Sequence, residues 1–444
     1  MAMSRRRFFL AAAGVAGAAA STGLLSACSS DSGSTVGANG APGQLEVFSW
    51  WTDPGENAAL QSLVSVFNQA NPNIKFVNRA VVGGGGDAAK ALLAKRLAAK
   101  NPPDTFQAQA GEMVGDYITA GQIEDVSFLY KQEGWDTQFS QKVLKLIQRD
   151  GKFYSVPVDT HHINVLWSNP KVCEAHGVSA KPTSLTEFID NLRTLKKAGD
   201  VIPLAVSLDP GQEWQVKHIM ETVLLSTLGA DAWAALWKKG ADWGTAKITT
   251  ALDTFAEIMT YAPGTGSTVT GWDQVCQLVG SGKAAYQIMG DWVEANFTVA
   301  QMLTPGTDYS WCAVPGTAGT FLFACDCFTL PVGAKDRAAT IAWLTSCGSK
   351  SGQDSFTTVK GAIPPRATVT ADERTLFSPY LQWSLDEWHK DILAGSLTHG
   401  VVASGAWNTA VDGAVTNWMT DHDVAKLQQG LVAAAAKFAP LAHS

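Results

Sequence analysis

Two adjacent tryptophans with a nearby carboxylate follow the first predicted strand of the sequence. Leu45–Ser49 has the pattern of a strand, Trp50 and Trp51 come directly after it, and Glu56 lies a few residues further on. Successive side chains of extended backbone point to opposite sides, so we expect at least one indole at an edge of the sheet. There its flat face can stack on a pyranose ring while the carboxylate accepts hydroxyl protons. The alternative is that both indoles are core residues, since tryptophan is highly buried on average.

Amide, aromatic and charged side chains recur near the ends of other predicted strands. Gln107 and Gln109 alternate to the same face of one strand, where two amides can donate to and accept from vicinal hydroxyls; the alternative is a solvated strand edge. The further members of the set are Trp272, Asp291 with Trp292, Asp326, Lys360 and His399. This inventory is typical of a site that binds and not of one that reacts.

The sequence contains none of the common catalytic signatures. We find no nucleophile elbow, H-E-x-x-H motif, C-x-x-C pair or kinase signature. A paired-carboxylate glycosidase stays open as an alternative, because its two acids need to be close in space and not in sequence. We therefore expect a binding protein and not an enzyme.

Metal and nucleotide sites have weak support in the sequence. Cys325-Asp326-Cys327 lacks a second Cys/His pair at close spacing, and we interpret the cysteines as small buried residues or disulfide partners. His161 and His162 have no carboxylate and third ligand at metal spacing, which favours structural or rim roles. The glycine run 83–86 meets the G-x-G-x-x-A pattern almost by default and predicts a flexible rim loop. We expect no cofactor and no bound metal.

The N-terminus has the pattern of an exported lipoprotein. Ser4–Leu10 is a twin-arginine export pattern, a mildly apolar Ala- and Gly-rich segment follows, and Leu25–Cys28 has the form of a lipobox. Cleavage before Cys28 and acylation of its thiol would anchor the protein to the outer face of the cell membrane; a transmembrane anchor is the alternative. Residues 29–43 are rich in Ser and Gly and predict a flexible tether.

Composition limits the partners and the number of domains. Loss of residues 1–27 removes three arginines and takes the formal charge from -7 to -10, which argues against nucleic acid as a partner. The roughly 400 residues after the tether exceed what one core usually serves, so we expect two domains. Tryptophan is abundant, at 16 against 7 tyrosines, which fits carbohydrate contact. Six cysteines after Cys28 allow up to three disulfides in an exported chain.

Strands and helices alternate in both halves of the chain. A proline inside the extended stretch 154–158 predicts a crossing between lobes. Residues 321–330 are predicted as one strand, 338–356 as helical, and the turn at 395–400 is predicted to expose His399. The pattern indicates an α/β protein with two lobes joined by several strands.

Ordered motifs along nearly the whole chain resemble a known family. They are the export signal, FSWWTDPGE, PPDTFQAQAG, VPVDTHHINVLW, GKAAYQIMGDW, WLTSCGSKSGQDSF and SLTHGVVA. Together they look like the family 1 extracellular solute-binding proteins of ABC sugar importers, and most like the bacterial glucose-binding lipoproteins. The resemblance implies a periplasmic-binding-protein fold, a monomer that captures a monosaccharide such as glucose in a cleft, and delivery to the permease of an ABC importer by lobe closure.

The resemblance also assigns residues and boundaries. It implies lobe 1 at 45–159 plus 327–363 and lobe 2 at 160–326 plus 364–444, after a signal peptide at 1–27 and a tether at 28–44. Position 109 departs from the family, since similar glucose binders often have histidine there, so the identity of the sugar stays open. A receptor of this fold for a disaccharide, a polyamine or a metal chelate remains an alternative. The implied sugar contacts are Trp51, Glu56, Gln107, Gln109, Trp272, Trp292, Asp326, Lys360 and His399, with Trp50, Asp159 and His161 as further candidates.

Overall fold

The computed structural model describes residues 43–82, 86–264 and 269–439. The predicted signal peptide, the acylation site at Cys28 and most of the tether lie outside the described residues, as does most of the glycine run 83–86. Within the described part, no helix combines the length and the apolar character that crossing a membrane requires.

The strands form two larger sheets and two smaller ones. The strands are β1 (Gly43–Phe48), β2 (Ile74–Asn78), β3 (Thr105–Gln109), β4 (Gln148–Arg149), β5 (Lys152–Phe153), β6 (Ser155–Pro157), β7 (His161–His162), β8 (Val165–Ser168), β9 (Ile202–Leu204), β10 (Ala284–Ile288), β11 (Ser310–Ala313), β12 (Thr320–Ala324), β13 (Asp326–Thr329) and β14 (Ile392–Gly395). The five-stranded sheet has the order β2-β1-β3-β13-β6, and the four-stranded sheet has the order β11-β8-β10-β9. The three-stranded sheet has the order β14-β12-β7, and β4 pairs with β5. We call the five-stranded sheet with its helices the first lobe, and the four- and three-stranded sheets with theirs the second.

Helices cover both lobes. They are α1 (Pro54–Ala70), α2 (Asp87–Ala98), α3 (Glu112–Thr119), α4 (Ser127–Glu133), α5 (Trp135–Gln138), α6 (Gln141–Leu144), α7 (Pro170–Ala175), α8 (Leu185–Ala198), α9 (Glu213–Leu228), α10 (Ala230–Ala235), α11 (Ala246–Met259), α12 (Trp272–Gly280), α13 (Trp292–Ala295), a π-helix (Asn296–Ala300), α14 (Arg337–Gly348), α15 (Lys350–Lys360), α16 (Ala371–Arg374), α17 (Pro379–Lys390), α18 (Gly405–Asp421) and α19 (Val424–Phe438). The prediction of an α/β fold with two lobes is confirmed.

The first lobe is built on a parallel β-α-β start. Strand β1 pairs in parallel with β2 and β3, and α1 covers it with an apolar stripe that includes Leu60, Leu63 and Phe67, all fully buried. The helix begins where Asp53 accepts a hydrogen bond from the Gly55 N–H and Pro54 fixes the first turn. The carboxyl end of β1 therefore delivers Trp50 and Trp51 to the edge of the sheet at the start of α1.

The chain crosses between the lobes at neighbouring places. Strand β6 belongs to the first lobe and β7 to the second, so residues 158–160 form one crossing; β12 and β13 lie in different sheets, so Cys325 alone forms another. A backbone hydrogen bond joins the two crossings: the N–H of Val158, in the first, donates to the carbonyl oxygen of Asp326, which directly follows the second, at 2.9 Å. Pro157 lies on an edge strand, where its missing N–H costs no ladder hydrogen bond.

The structure changes three expectations about local structure. The stretch 321–330 is two strands and not one, because both halves are buried but pair in different sheets. The helical stretch 338–356 divides at Ser349, which caps α15 through its hydroxyl. All six cysteines of the described residues are free thiols, five of them buried as small apolar side chains, so none of the disulfides that the sequence allows is formed there. The exact residue boundaries of the two lobes remain a prediction.

Candidate functional site

Two neighbouring strands of the first lobe place three polar side chains on one face. Strands β3 and β13 pair antiparallel with Asp326 opposite Gln109 and Phe328 opposite Gln107, so Gln107, Gln109 and Asp326 lie together. All three are buried, with at most 5% exposure. Within the described residues, Gln107 Nε2, Gln109 Oε1 and Asp326 Oδ1 have no hydrogen-bond partner. Since buried polar atoms are almost always bonded, these atoms make this face a candidate site for a polar ligand.

A buried ion pair between two indoles faces the same place. Lys360, the last residue of α15, lies with its Nζ 2.8 Å from Glu56 Oε1 in the first turn of α1. The same Nζ is 5.8 Å from the ring centroid of Trp51 and 5.9 Å from that of Trp292. Burial lowers the pKa of Lys360, but the carboxylates of Glu56 and Asp326 outweigh it and raise that pKa above its ordinary value. The ammonium thus stays charged and is available as a donor.

The adjacent tryptophans lie in different environments. Trp51 is 1% exposed and packs on Phe356, with ring centroids 4.8 Å apart, so it is part of the core of the first lobe as well as a neighbour of Lys360. Trp50 is half-buried, and its backbone N–H donates to Gln107 Oε1 at 3.2 Å. The alternation expected of extended backbone is therefore observed, with Trp50 and not Trp51 at the rim. Trp272 is buried at the start of α12.

Asp326 is oriented by His161. One ring nitrogen of His161, Nδ1, is hydrogen-bonded to Asp291, while Nε2 lies 3.2 Å from Asp326 Oδ2 and 3.1 Å from Asp159 Oδ2. Burial lowers the pKa of His161, but the carboxylates of Asp159 and Asp291 raise it well above its ordinary value. Both ring N–H groups are then donors, and Asp326 keeps one oxygen, Oδ1, without a partner among the described residues. Of the three carboxylate partners of His161, Asp159 is two residues away in the sequence, whereas Asp291 and Asp326 come from distant segments and could not be recognised from spacing.

A chain of hydrogen bonds fixes the amide of Gln109. His218 Nε2 lies 3.0 Å from Ile163 O and must carry a proton there, since a carbonyl only accepts. Neutral His218 then accepts at Nδ1 from His399 Nε2 at 3.4 Å, and His399 Nδ1 accepts from Gln109 Nε2 at 3.3 Å. Burial lowers the pKa of His218 to about 4 and that of His399 well below its ordinary value, so both rings are neutral. The amide orientation is thereby fixed, and the carbonyl oxygen Gln109 Oε1 remains without a partner among the described residues.

His399 lies in a turn that is buried and not exposed as the sequence suggested. Its side chain is 6% exposed, and its ring centroid is 5.1 Å from that of Trp292. The buried carboxylate of Glu221 on α9 accepts from the N–H groups of Leu397 and Thr398 and from the Ser396 hydroxyl. This carboxylate replaces solvent as the partner of the turn, which is why a turn-like sequence is found in the interior. We call Gln107, Gln109, Asp326, Lys360 and His399 the polar clamp.

The pH dependence of stability should report on Glu221. Burial raises its pKa from 4.5 to about 7, despite the hydrogen bonds from Thr398 and Ser396. The folded protein therefore binds this proton more tightly than the unfolded chain, and the associated stability, present below pH 4.5, is lost as the pH rises through 7. We expect the free energy of unfolding of the wild type, relative to that of Glu221→Gln, to fall by about 3 kcal/mol between pH 4.5 and pH 8.

Denaturant unfolding of both proteins at the two pH values measures this difference. Because the two proteins are compared at each pH, any constant cost of the amide cancels, as do the contributions of the other titrating groups. Equal slopes of stability against pH for the wild type and the variant would contradict the placement of a protonated carboxyl under the turn.

Two buried groups have the donor types of a metal site. Asp159, His161 and Asp326 form one, and His218, Glu221 and His399 form the other. In the first, both ring nitrogens of His161 donate to carboxylates. In the second, the carboxylate and the two rings are bonded to protein groups as described above. These hydrogen bonds account for both geometries without a metal ion.

The two lobes are in contact beside the site. Asn296 of the second lobe donates through Nδ2 to Asp53 Oδ2 at 3.2 Å, at the N-terminus of α1. Gly55 lies so close to the second lobe that an added Cβ would be 2.7 Å from the backbone carbon of Ala295. Burial, with Glu56 as the next contribution, raises the pKa of Asp53 to about 6. The polar clamp is thus enclosed by residues of both lobes.

The family comparison fits this geometry. Residues 48–354 match the family described as bacterial extracellular solute-binding protein. That match covers well over half of the chain and contains most of the polar clamp. The chain belongs to this family. The prediction of a solute-binding protein, and not an enzyme, is confirmed.

Relatives of this solute-binding protein are found in several organisms. It is 35% identical over 329 residues to a probable sugar-binding periplasmic protein of Mesorhizobium japonicum, covering 73% of this chain and 76% of that one. It is 27% identical over 398 residues to the xylose/arabinose-binding protein XacG of Haloferax volcanii, covering 88% and 84%. Among solved structures, the bacterial solute receptor AcbH superposes with a TM-score of 0.76 at 17% identity, covering 89% of this chain and 98% of that one, and supports the fold.

Sequence reasoning missed the residues of this solute-binding protein that act behind the clamp. Trp214, His218 and Glu221 share one face of α9 at helical spacing, and each is at most 4% exposed. Polar residues at core spacing on a buried helix are the signal that could have identified them. Asp291 was noted only as the neighbour of Trp292, and its contact with His161 requires the fold.

Proposed function

We propose that the protein is the sugar receptor of an ABC importer and that its polar clamp binds one aldohexose, with glucose as the first choice. The observation that carries this proposal is the set of buried, unpartnered atoms on β3 and β13: one amide N–H group, one amide oxygen and one carboxylate oxygen. Adjacent hydroxyls of a hexose both donate and accept, so a single ring can satisfy donors and acceptors that lie side by side.

The indoles and the ion pair supply the rest of the recognition. Trp292 is 7% exposed and, like Trp51, lies beside the Lys360 ammonium, so an apolar ring face and a charged donor are close together. Glu56 holds Lys360 in place at 2.8 Å. Trp272 stays a proposed contact from the second lobe, and Trp50, Asp159 and His161 are proposed to act at the rim or behind the clamp. The sugar-binding relatives support a carbohydrate ligand without deciding which sugar it is.

The mechanism follows from the crossings between the lobes. Asp159 lies in one crossing and Asp326 directly follows the other, and the Asp326 backbone N–H donates to Asp159 Oδ1 at 2.9 Å. A ligand bonded to Asp326 and to residues of the second lobe would favour the state in which the lobes are in contact, which is the state a permease would recognise. We further propose export, a lipid anchor on Cys28 and a monomeric state.

Ligand-induced stabilisation tests the proposal. D-glucose at 100 times its dissociation constant should stabilise the purified protein by about 2.7 kcal/mol and raise its melting temperature, whereas a polyamine such as spermidine should not. A larger shift with spermidine than with any hexose would contradict a sugar site. Hydrolysis of a chromogenic glucoside by the purified protein would contradict a receptor without catalytic activity.

A further inference from the structure

The contact between the lobes beside the polar clamp includes a buried pair of polar side chains. Asn296 donates through Nδ2 to Asp53 Oδ2 at 3.2 Å, and the two residues are 2% and 9% exposed. Asp53 Oδ1 accepts from the Gly55 N–H at 3.0 Å, so both oxygens of this carboxylate are hydrogen-bonded. Because hydrogen bonds to charged groups are stronger than those between neutral groups, the pair favours the state in which the lobes are in contact.

A π-helical turn holds the Asn296 amide in the orientation that this contact requires. In the π-helix Asn296–Ala300, the Gln301 N–H donates to Asn296 O at 3.0 Å, and this bonding pattern brings residues five apart onto one side of the turn. Gln301 Nε2 therefore reaches Asn296 Oδ1, to which it donates at 2.8 Å. Since its oxygen is already bonded, Asn296 presents its NH2 group to Asp53, whose carboxylate can accept it.

Each partner of the pair is fixed to one side of the ligand site. On the first lobe, Glu56 lies in the first turn of α1, directly after Asp53, and pairs with Lys360 at 2.8 Å. On the second lobe, Trp292 begins the short helix α13, which ends one residue before Asn296, and its ring centroid is 5.9 Å from the Lys360 ammonium. Separation of the pair would therefore open the ligand site as well.

We propose that Asp53 and Asn296 form a latch, a hydrogen bond across the cleft that retains the sugar by holding the lobes in contact without touching the sugar itself. Both are positioning residues, because they act through the population of the state in which the lobes are in contact. The apparent affinity of a ligand scales with the fraction of protein in the state that binds it, so loss of the latch weakens binding. The inference rests on the proposed function for its ligand, a hexose in the polar clamp.

Exchange of the two side chains, followed by calorimetric titration with glucose, tests the latch. Asn296→Asp keeps the shape but places a second carboxylate against Asp53, and because burial raises the pKa of Asp53 to about 6, the titrations are made at pH 8. Like charges in contact disfavour closure, so the glucose affinity should fall about ten-fold or more. Asp53→Asn together with Asn296→Asp reverses donor and acceptor and keeps the bonds from Gly55 and Gln301. This exchange should return the affinity to within about three-fold of the wild type.

Two further variants separate the latch from added charge and from steric contact. Asn57 is exposed in the first turn of α1, so Asn57→Asp adds a carboxylate to the same turn away from the second lobe and should leave the glucose affinity unchanged. Gly55→Ala adds a Cβ 2.7 Å from the backbone carbon of Ala295. It should weaken glucose binding several-fold while α1 stays folded, since Gly55 is a helical residue without a positive φ.

Wild-type glucose affinity in Asn296→Asp would overturn the latch while leaving the proposed function intact, and so would a loss of affinity that the exchange does not restore. If folded wild-type protein binds no hexose, the proposed function fails, and small-angle scattering then tests the latch without sugar. The radius of gyration of Asn296→Asp should exceed that of the wild type, and the exchange should return it to the wild-type value. Equal radii of the wild type and Asn296→Asp would overturn the latch as well.

Discussion

Lys360→Met is expected to destabilise the protein by about 3 to 5 kcal/mol and to abolish measurable glucose binding. The ammonium is 1% exposed and pairs with Glu56 at 2.8 Å, so its removal leaves a buried carboxylate without a partner. Breaking a buried pair is costly even where the pair itself contributes little, because the remaining charge is poorly solvated. Chemical denaturation and calorimetric titration of the variant measure the two effects.

A double variant separates the structural effect from the binding effect. Glu56→Leu with Lys360→Met replaces both charges by apolar side chains, which should return the free energy of unfolding to within about 2 kcal/mol of the wild type. Glucose binding should still be lost, since the donor is absent in both variants. Recovery of glucose affinity in the stable double variant would show that Lys360 does not contact the sugar.

Asp326→Ala is expected to weaken glucose binding by about 1.5 to 3 kcal/mol, or roughly 10- to 150-fold, with little change in the stability of the free protein. Its Oδ1 has no partner among the described residues, so no protein hydrogen bond is lost at that atom. His161 keeps a carboxylate at Nε2, because Asp159 Oδ2 lies 3.1 Å away. The loss should therefore appear in the complex and not in the free protein.

A surface aspartate of the second lobe provides the control for Asp326. Asp308 pairs with Lys171 at 2.8 Å near the surface, and Asp308→Ala should leave the glucose affinity unchanged and the stability close to that of the wild type. Calorimetric titration of both variants gives the comparison. An Asp326→Ala protein with wild-type affinity would remove this residue from the ligand contacts.

The first lobe shows what local sequence pattern can predict. The β1-α1 unit was predicted because an apolar strand, a capped helix start and an apolar stripe at helical spacing occur in one short stretch. Gln107 and Gln109 were correctly assigned to one strand face by alternation alone. Their position opposite Asp326 was not derivable from spacing, since β13 is more than two hundred residues further along the chain.

The failures have physical reasons of the same kind. Residues 321–330 are apolar except for Asp326 and Thr329, and nothing in this local pattern signals that the chain leaves one sheet at Cys325 and enters another. The turn at 395–400 has the composition of a surface turn, and its burial depends on Glu221, far away in sequence. His161 became a charged hub because three carboxylates converge on it in the fold. The residues that orient the clamp are thus the ones that local pattern reveals least.

Calorimetric titration of the purified wild-type protein with D-glucose, followed by galactose and mannose, is the most direct test of the central claim. We predict one-to-one binding of at least one hexose, with glucose favoured, because one ring can satisfy the unpartnered atoms of Gln107, Gln109 and Asp326. Absence of binding with all three hexoses, from protein shown to be folded, would contradict the assignment of the polar clamp as a hexose site.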